Sequence, residues 1–203
     1  ETGKPVVTLI SCGRPLVLTD VVDKTDALLI NWQLGHESGN AIADVLFGDY
    51  NPSGKLPMSF PYHVGQVPVS YEERSTGRPN HPDIGNTNFA SIYRDAPNEP
   101  LFAFGYGLSY TTFEYSDLLL NTKKITKNDT LKLSVSVKNT GNSEGEEVVQ
   151  LYVRDVVAFN VSRPLKQLKG FEKITLKPSE KKTITFELTP QMLAYYRYDK
   201  TFA

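Results

Sequence analysis

The chain has 203 residues, 39% hydrophobic and 22% charged, enough apolar side chain for one large globular domain or two modest ones. Its 22 Lys and Arg stand against 23 Asp and Glu, a net charge of −1 that excludes the basic footprint of a nucleic-acid binder and a polybasic membrane anchor. No apolar run approaches the roughly 20 residues of a membrane helix, and the N-terminus lacks the regions of a signal peptide.

Val6 to Ile10 is a continuous, largely β-branched apolar run, the pattern of a strand covered on both faces. Asp26-Ala-Leu-Leu-Ile-Asn-Trp32 is a second such strand, and the stretch between them allows only a short helical or irregular crossover. The lone Cys12 excludes an internal disulfide and suits a buried structural thiol better than a reactive one. Ser38 is placed to cap a helix whose inner face is Ala41, Ile42, Val45 and Leu46, with Gly48 as its stop. Glu37 beside it reads as part of that cap. Asn51-Pro-Ser-Gly54 fits a type I turn, followed by a short strand between Pro57 and Pro61. Two strands and one helix cannot bury themselves, so residues 1–62 read as the end of a larger α/β domain. A chain starting there exposes an unpaired sheet edge, which predicts a homo-oligomer or poor solubility.

Residues 63–113 form a long loop and inter-domain connection, dense in Gly, Pro, Asn and charge and then in aromatics over Leu101 to Phe113. From residue 114 the pattern is all-β. Leu131, Leu133, Val135 and Val137 alternate with polar residues, Asn139-Thr-Gly141 turns the chain, and Val149, Leu151, Val153 and Ile184, Phe186, Leu188 repeat the alternation. Residues 114–203 thus read as a fibronectin type III-like antiparallel sandwich, without the Cys-Trp-Cys signature of immunoglobulins and short of its last strand. The overall class is α/β plus all-β.

Five residues stand out as contacts for a polar ligand. Trp32, the sole tryptophan, closes a strand of an open α/β sheet, where clefts form and indole stacks on sugar faces; core packing is the competing role. Arg74, Arg78, Tyr93 and Arg94 sit in the long loop and offer guanidinium and phenol groups to hydroxyls, or serve as a clamp between domains or subunits. Glu72 and Glu73 are adjacent and point to opposite sides of an extended chain, a poor catalytic couple. His36, His63 and His81 lack metal-ligand spacing, so no metal is expected. The sequons at Asn128 and Asn160 carry no weight. Lys166, Lys169, Lys173 and Lys177 read as a solvated face.

Four blocks bear a resemblance in order and spacing. They are Gly3-Lys-Pro-Val-Val with Gly13-Arg-Pro-Leu16, Ala41 to Pro57, Phe104-Gly-Tyr-Gly-Leu-Ser-Tyr-Thr-Thr-Phe113, and Ser162-Arg-Pro-Leu-Lys-Gln-Leu-Lys-Gly-Phe-Glu172. Together they resemble the second and third domains of family 3 glycoside hydrolases, most of all bacterial periplasmic β-glucosidases. The resemblance implies a catalytic barrel preceding this chain as its partner, a β-linked oligosaccharide as substrate, no cofactor, and a periplasmic or secreted location. It also implies retention, with an Asp nucleophile and a Glu acid/base about 5–5.5 Å apart. In the family both lie upstream of Lys4, so no catalytic residue is assigned here and the chain alone is expected to be inactive. A β-xylosidase, an N-acetylglucosaminidase or an autonomous carbohydrate-binding module are the alternatives, the last resting on Tyr195, Tyr196 and Tyr198.

Overall fold

The computed structural model describes residues 3–78, 89–157 and 161–201; His81 and Asn160 lie outside them. The chain divides into two compact units, one of residues 1–50, 55–71 and 76–106, the other of 51–54, 72–75 and 107–203. The chain thus enters the second unit twice before committing to it at Gly107.

In the first unit, β1 (Val7–Ile10) and β2 (Ala27–Ile30) pair in parallel, Val7 opposite Ala27 and Ile10 opposite Ile30. The crossover is a single helical turn, α1 (Thr19–Val22). Thr25 ties the amino end of the pair: its Oγ1 accepts from Thr8 Oγ1 at 2.8 Å and donates to the carbonyls of Val6 and Ala27. Both strands form where the apolar runs predict, but Val7 and Leu9 reach solvent rather than lying in a covered layer.

Helix α2 (Ser38–Phe47) has the predicted span and stops at Gly48, whose φ of 86° is the left-handed conformation that glycine tolerates. The cap differs from expectation. A 3₁₀ turn over Gly35–Glu37 leads in, so Ser38 is already helical and its N–H is committed to the Gly35 carbonyl. Glu37 occupies the cap position without bonding the backbone; its carboxylate accepts from Asn40 Nδ2 at 2.6 Å instead. Ile42 and Val45 are half-buried, while Phe47 is 84% exposed. The buried centre of this unit is aromatic. Phe60, fully buried, packs against Trp32 and Phe102, and Phe102 stacks on Tyr106. The short strand expected between the prolines is reduced to a bridge between Phe60 and Phe102.

The second unit is an antiparallel sandwich. One sheet orders β3 (Phe113–Leu120), β4 (Leu131–Asn139) and β7 (Lys181–Leu188); the other pairs β5 (Gly145–Val153) with β6 (Gln167–Leu176). A single helical turn, α3 (Pro190–Leu193), follows. Val137, Val149, Ile174, Leu176 and Ile184 form the core, with Phe113, Val135 and Phe186 packed around it. Asn51-Pro-Ser-Gly54 is not a turn. Asn51 spends its side chain on this unit, donating to the Glu144 carbonyl and accepting from Ser109 Oγ and Tyr110 N, and Ser53 donates to Glu146. Those bonds hold the segment without regular secondary structure. Gly145 lies against it, and a Cβ there would fall 2.7 Å from Thr111 Cγ2 and 2.8 Å from Asn51 Nδ2.

Surface carboxylates give the fold an acid limit. Lys181 holds Asp117 below its usual pKa, as the Thr126 backbone does for Asp129, the Lys177 backbone for Glu180 and the Thr201 hydroxyl for Asp199. A depressed folded pKa adds stability above the unfolded value and loses it as pH falls through the folded one. The melting temperature is therefore expected to hold from neutrality down to about pH 4 and to fall below it. On the alkaline side, burial and the Glu147 carboxylate push the Tyr115 phenol well above its ordinary 10.0, so stability falls once pH passes that value. A calorimetric pH series tests both limbs; a melting temperature independent of pH between 2 and 5 contradicts the acid limb.

Candidate functional site

Because Ile10 and Ile30 are partners in the parallel register, Ser11-Cys-Gly13 and Asn31-Trp-Gln33 leave the sheet side by side at its carboxyl edge. Open parallel sheets present ligand sites at that edge. Asn31 N–H donates to the Ile10 carbonyl at 3.1 Å and Asn31 Nδ2 donates to Ser11 Oγ at 2.9 Å, stitching the two strand ends together. Asn31 is 8% exposed, and its buried Oδ1 has no hydrogen-bond donor.

Trp32 follows with φ at 48°, a left-handed backbone that bulky residues rarely adopt. Here the sequence expectation is corrected: the strand stops at Ile30, because a left-handed residue cannot extend the ladder. The indole is half-buried, tilted 53° on Phe60 with ring centroids 5.8 Å apart. Cys12 beside it is half-buried rather than enclosed.

The long loop is stapled rather than loose. Gln66, buried, accepts from Tyr62 N and His63 N and donates to the carbonyls of Pro97 and Glu99, fixing both ends of the loop. Ser91 N–H donates to the Arg78 carbonyl at 2.8 Å, and the Arg78 guanidinium lies 5.9 Å from the Phe89 ring centre, within cation–π reach. Tyr93 N–H donates to Asn98 Oδ1 at 2.9 Å, and the side chains of Arg78, Tyr93 and Arg94 are exposed. These three share one braced loop, and Trp32 is carried separately by the sheet edge. Arg74 belongs to the second unit, where its backbone bridges Pro164 and the neighbouring Glu73 carbonyl accepts from Leu165 N at 2.7 Å.

Sequence reasoning passed over Ser11, Asn31 and Gln33, although Ser11 and Gln33 directly follow the two runs that mark the carboxyl edge and Asn31 lies within the second. Tyr195 is covered by the Arg163 guanidinium at 4.2 Å, whereas Tyr196 and Tyr198 are exposed. Among the described residues no group of three or more His, Cys, Asp or Glu side chains is placed to hold a metal.

The fold is an α/β domain end joined to a fibronectin type III-like sandwich. Residues 1–110 match the glycosyl hydrolase family 3 C-terminal domain and residues 147–202 match the fibronectin type III-like domain, and the chain belongs to glycosyl hydrolase family 3. It is 53% identical over 195 residues to the periplasmic beta-glucosidase of Salmonella typhimurium, covering 96% of this chain and 25% of that protein. A beta-xylosidase of Formosa agariphila is 49% identical over 188 residues, covering 93% and 25%. A solved beta-glucosidase from Listeria innocua, in complex with isofagomine, matches with a TM-score of 0.93 at 44% identity, covering 99% of this chain and 28% of that one. The chain spans about a quarter of the length of the curated relatives it matches.

Proposed function

We propose that this chain is the C-terminal region of a retaining exo-β-glucosidase that removes terminal β-linked glucose from oligosaccharides in the periplasm or outside the cell. The observation that carries the reading is the 44% identity, at a TM-score of 0.93 over 99% of the chain, to a beta-glucosidase solved in complex with isofagomine. The nucleophile and the acid/base belong to the preceding part of the longer protein. This region braces that barrel and offers Trp32, Arg78, Tyr93 and Arg94 of its first unit to the substrate, and Arg74, carried by the second unit, is a further candidate substrate contact. The exposed apolar side chains around β1 and α2, Phe47 among them, are what a barrel or a second copy of the chain would cover. No cofactor is needed, because two carboxyl groups supply both proton transfer and nucleophile. The relative at 49% identity named as a beta-xylosidase favours a second reading with a pentose glycone.

Hydrolysis of aryl β-glucoside and aryl β-xyloside is to be compared for the 203-residue chain and for the longer polypeptide containing it. The expected result is turnover by the longer protein, with kcat/KM higher on the glucoside, and none by the chain alone. Turnover by the chain above a heat-killed control overturns the assignment of both carboxylates upstream. A higher kcat/KM on the xyloside selects the second reading.

A further inference from the structure

We propose that Arg163 is a positioning residue. Its guanidinium fixes the segment 162–165 where that segment pairs with Glu73 and Arg74, and so sets where the Arg74 side chain stands. This rests on the reading of Arg74 as a substrate contact given above and adds a residue that touches no substrate. All the residues involved belong to the second unit.

The ladder between β5 and β6 ends at the Val153–Gln167 pair, so residues 162–165 lead into the sheet without being part of it. They pair instead with the segment 72–75. Arg74 and Pro164 form an isolated antiparallel bridge, and Leu165 N–H donates to the Glu73 carbonyl at 2.7 Å. Pro164 has no N–H of its own to add. A bridge one pair long has no flanking ladder to fix its register, so the register is set by whatever holds each segment. Arg74 is exposed, and its place follows from that backbone pairing.

Arg163 holds its segment by a side chain only 12% exposed. The guanidinium carbon stands 4.2 Å from the centre of the Tyr195 ring, Nη2 donates to the Leu193 carbonyl at 3.3 Å, and Nε lies 3.8 Å from Asp155 Oδ2. These partners come from two stretches of chain, Asp155 just after β5, and Leu193 and Tyr195 at the end of α3 and beyond it. A planar group stacked on a ring and engaged at its edges is held in one orientation, which a flexible ammonium would not impose. Stability alone is a poor account of the arrangement. Nε is buried without a hydrogen bond, and the partners of a buried charge so served offset its desolvation only in part. A guanidinium kept there, one residue from the bridge at Pro164, fits a role in placing the backbone.

The test uses the longer polypeptide that contains this chain. It reads hydrogen exchange at the Leu165 amide, by mass spectrometry, and KM for cellobiose, a β-linked glucose disaccharide. If cellobiose is not turned over, its Kd by titration calorimetry takes the place of KM, so failure of the proposed activity does not hide the result. Arg163→Met keeps a long apolar side chain against Tyr195 and removes the guanidinium. Val149→Ala is the comparison, lowering stability from the core of the same sandwich. Arg163→Met is expected to speed Leu165 exchange roughly tenfold and to raise KM roughly three- to fivefold, with kcat nearly unchanged. Combined with Arg74→Ala it should raise KM no further than Arg74→Ala does alone. Val149→Ala should leave both readings natural. Should Arg163→Met fail to fold, Tyr195→Leu, which takes away the ring beneath the guanidinium, carries the test. Natural Leu165 exchange overturns the proposal. So does faster exchange with a natural KM, or full additivity with Arg74→Ala, where Arg74→Ala itself raises KM. Equal effects in Val149→Ala overturn it too, since they mark a general loosening of the sandwich. A natural KM in Arg74→Ala overturns the reading of Arg74 and the proposal resting on it, and that variant alone identifies this failure.

Discussion

Replacing Asn139 by alanine is expected to destabilise the sandwich by about 3–5 kcal/mol, read as a lower urea midpoint with an unchanged slope. Asn139 ends β4 and is fully buried, at 0% exposure. Its Oδ1 accepts from Thr111 Oγ1 at 2.6 Å and from Gly141 N at 3.0 Å. Its Nδ2 donates to the Ser143 carbonyl at 2.8 Å and the Leu176 carbonyl at 2.9 Å. Those bonds use the full capacity of a primary amide, two donors and two acceptor lone pairs. Truncation strands a hydroxyl, an N–H and two carbonyls, each worth about 1–3 kcal/mol if it finds no water. Ser143 is exposed, so water recovers part of the loss there and the total falls short of the sum. Asn139→Asp is not a rescue, because a carboxylate keeps the acceptors but cannot donate to Leu176 or Ser143. A shift under about 1 kcal/mol would show that other groups replace the amide.

What the sequence makes legible follows from how regular each element is. β4 and β7 keep strict alternation, and both were readable from it. β3 was not: a shift of register between Ser116 and Leu119, with Asp117 at φ 54°, puts Leu120, opposite Leu133, on the face of Phe113 and Tyr115 and turns Leu119 to the other face, so the strict alternation breaks. β6 was hidden in the same way, since its register with β5 shifts at Leu151–Tyr152 and its lysines read as a solvated surface. Lys173 there is paired with Glu146 at 2.6 Å. Asn51-Pro-Ser-Gly54 has turn composition, yet its polar atoms bond residues up to 93 positions away, which no local rule sees. At the candidate site the run ending in Trp32 located the sheet edge. The cross-strand bond from Asn31 to Ser11, 20 positions apart, needed the parallel register to become visible.

Leu176→Ala is the second large effect expected, about 3–4 kcal/mol within the range for truncating an enclosed leucine. Leu176 is fully buried at 0% exposure and packs with Val137, Val149, Ile174 and Ile184, drawing on both sheets. Removing it leaves a cavity that neither sheet can close without breaking its ladder, so transfer and cavity contributions add. Leu119→Ala supplies the contrast: that leucine is 64% exposed, and its loss should fall within about 0.5 kcal/mol. The two core sites are also coupled, because the Leu176 carbonyl receives the Asn139 amide proton. A leucine cavity that lets the β6 backbone relax weakens that bond before Asn139 is touched. The double variant should therefore lose less than the sum of the singles, by about 0.5–1 kcal/mol. Strict additivity in urea titrations would mean that the amide and the apolar core are energetically independent, and that Asn139 holds only the 139–143 bend.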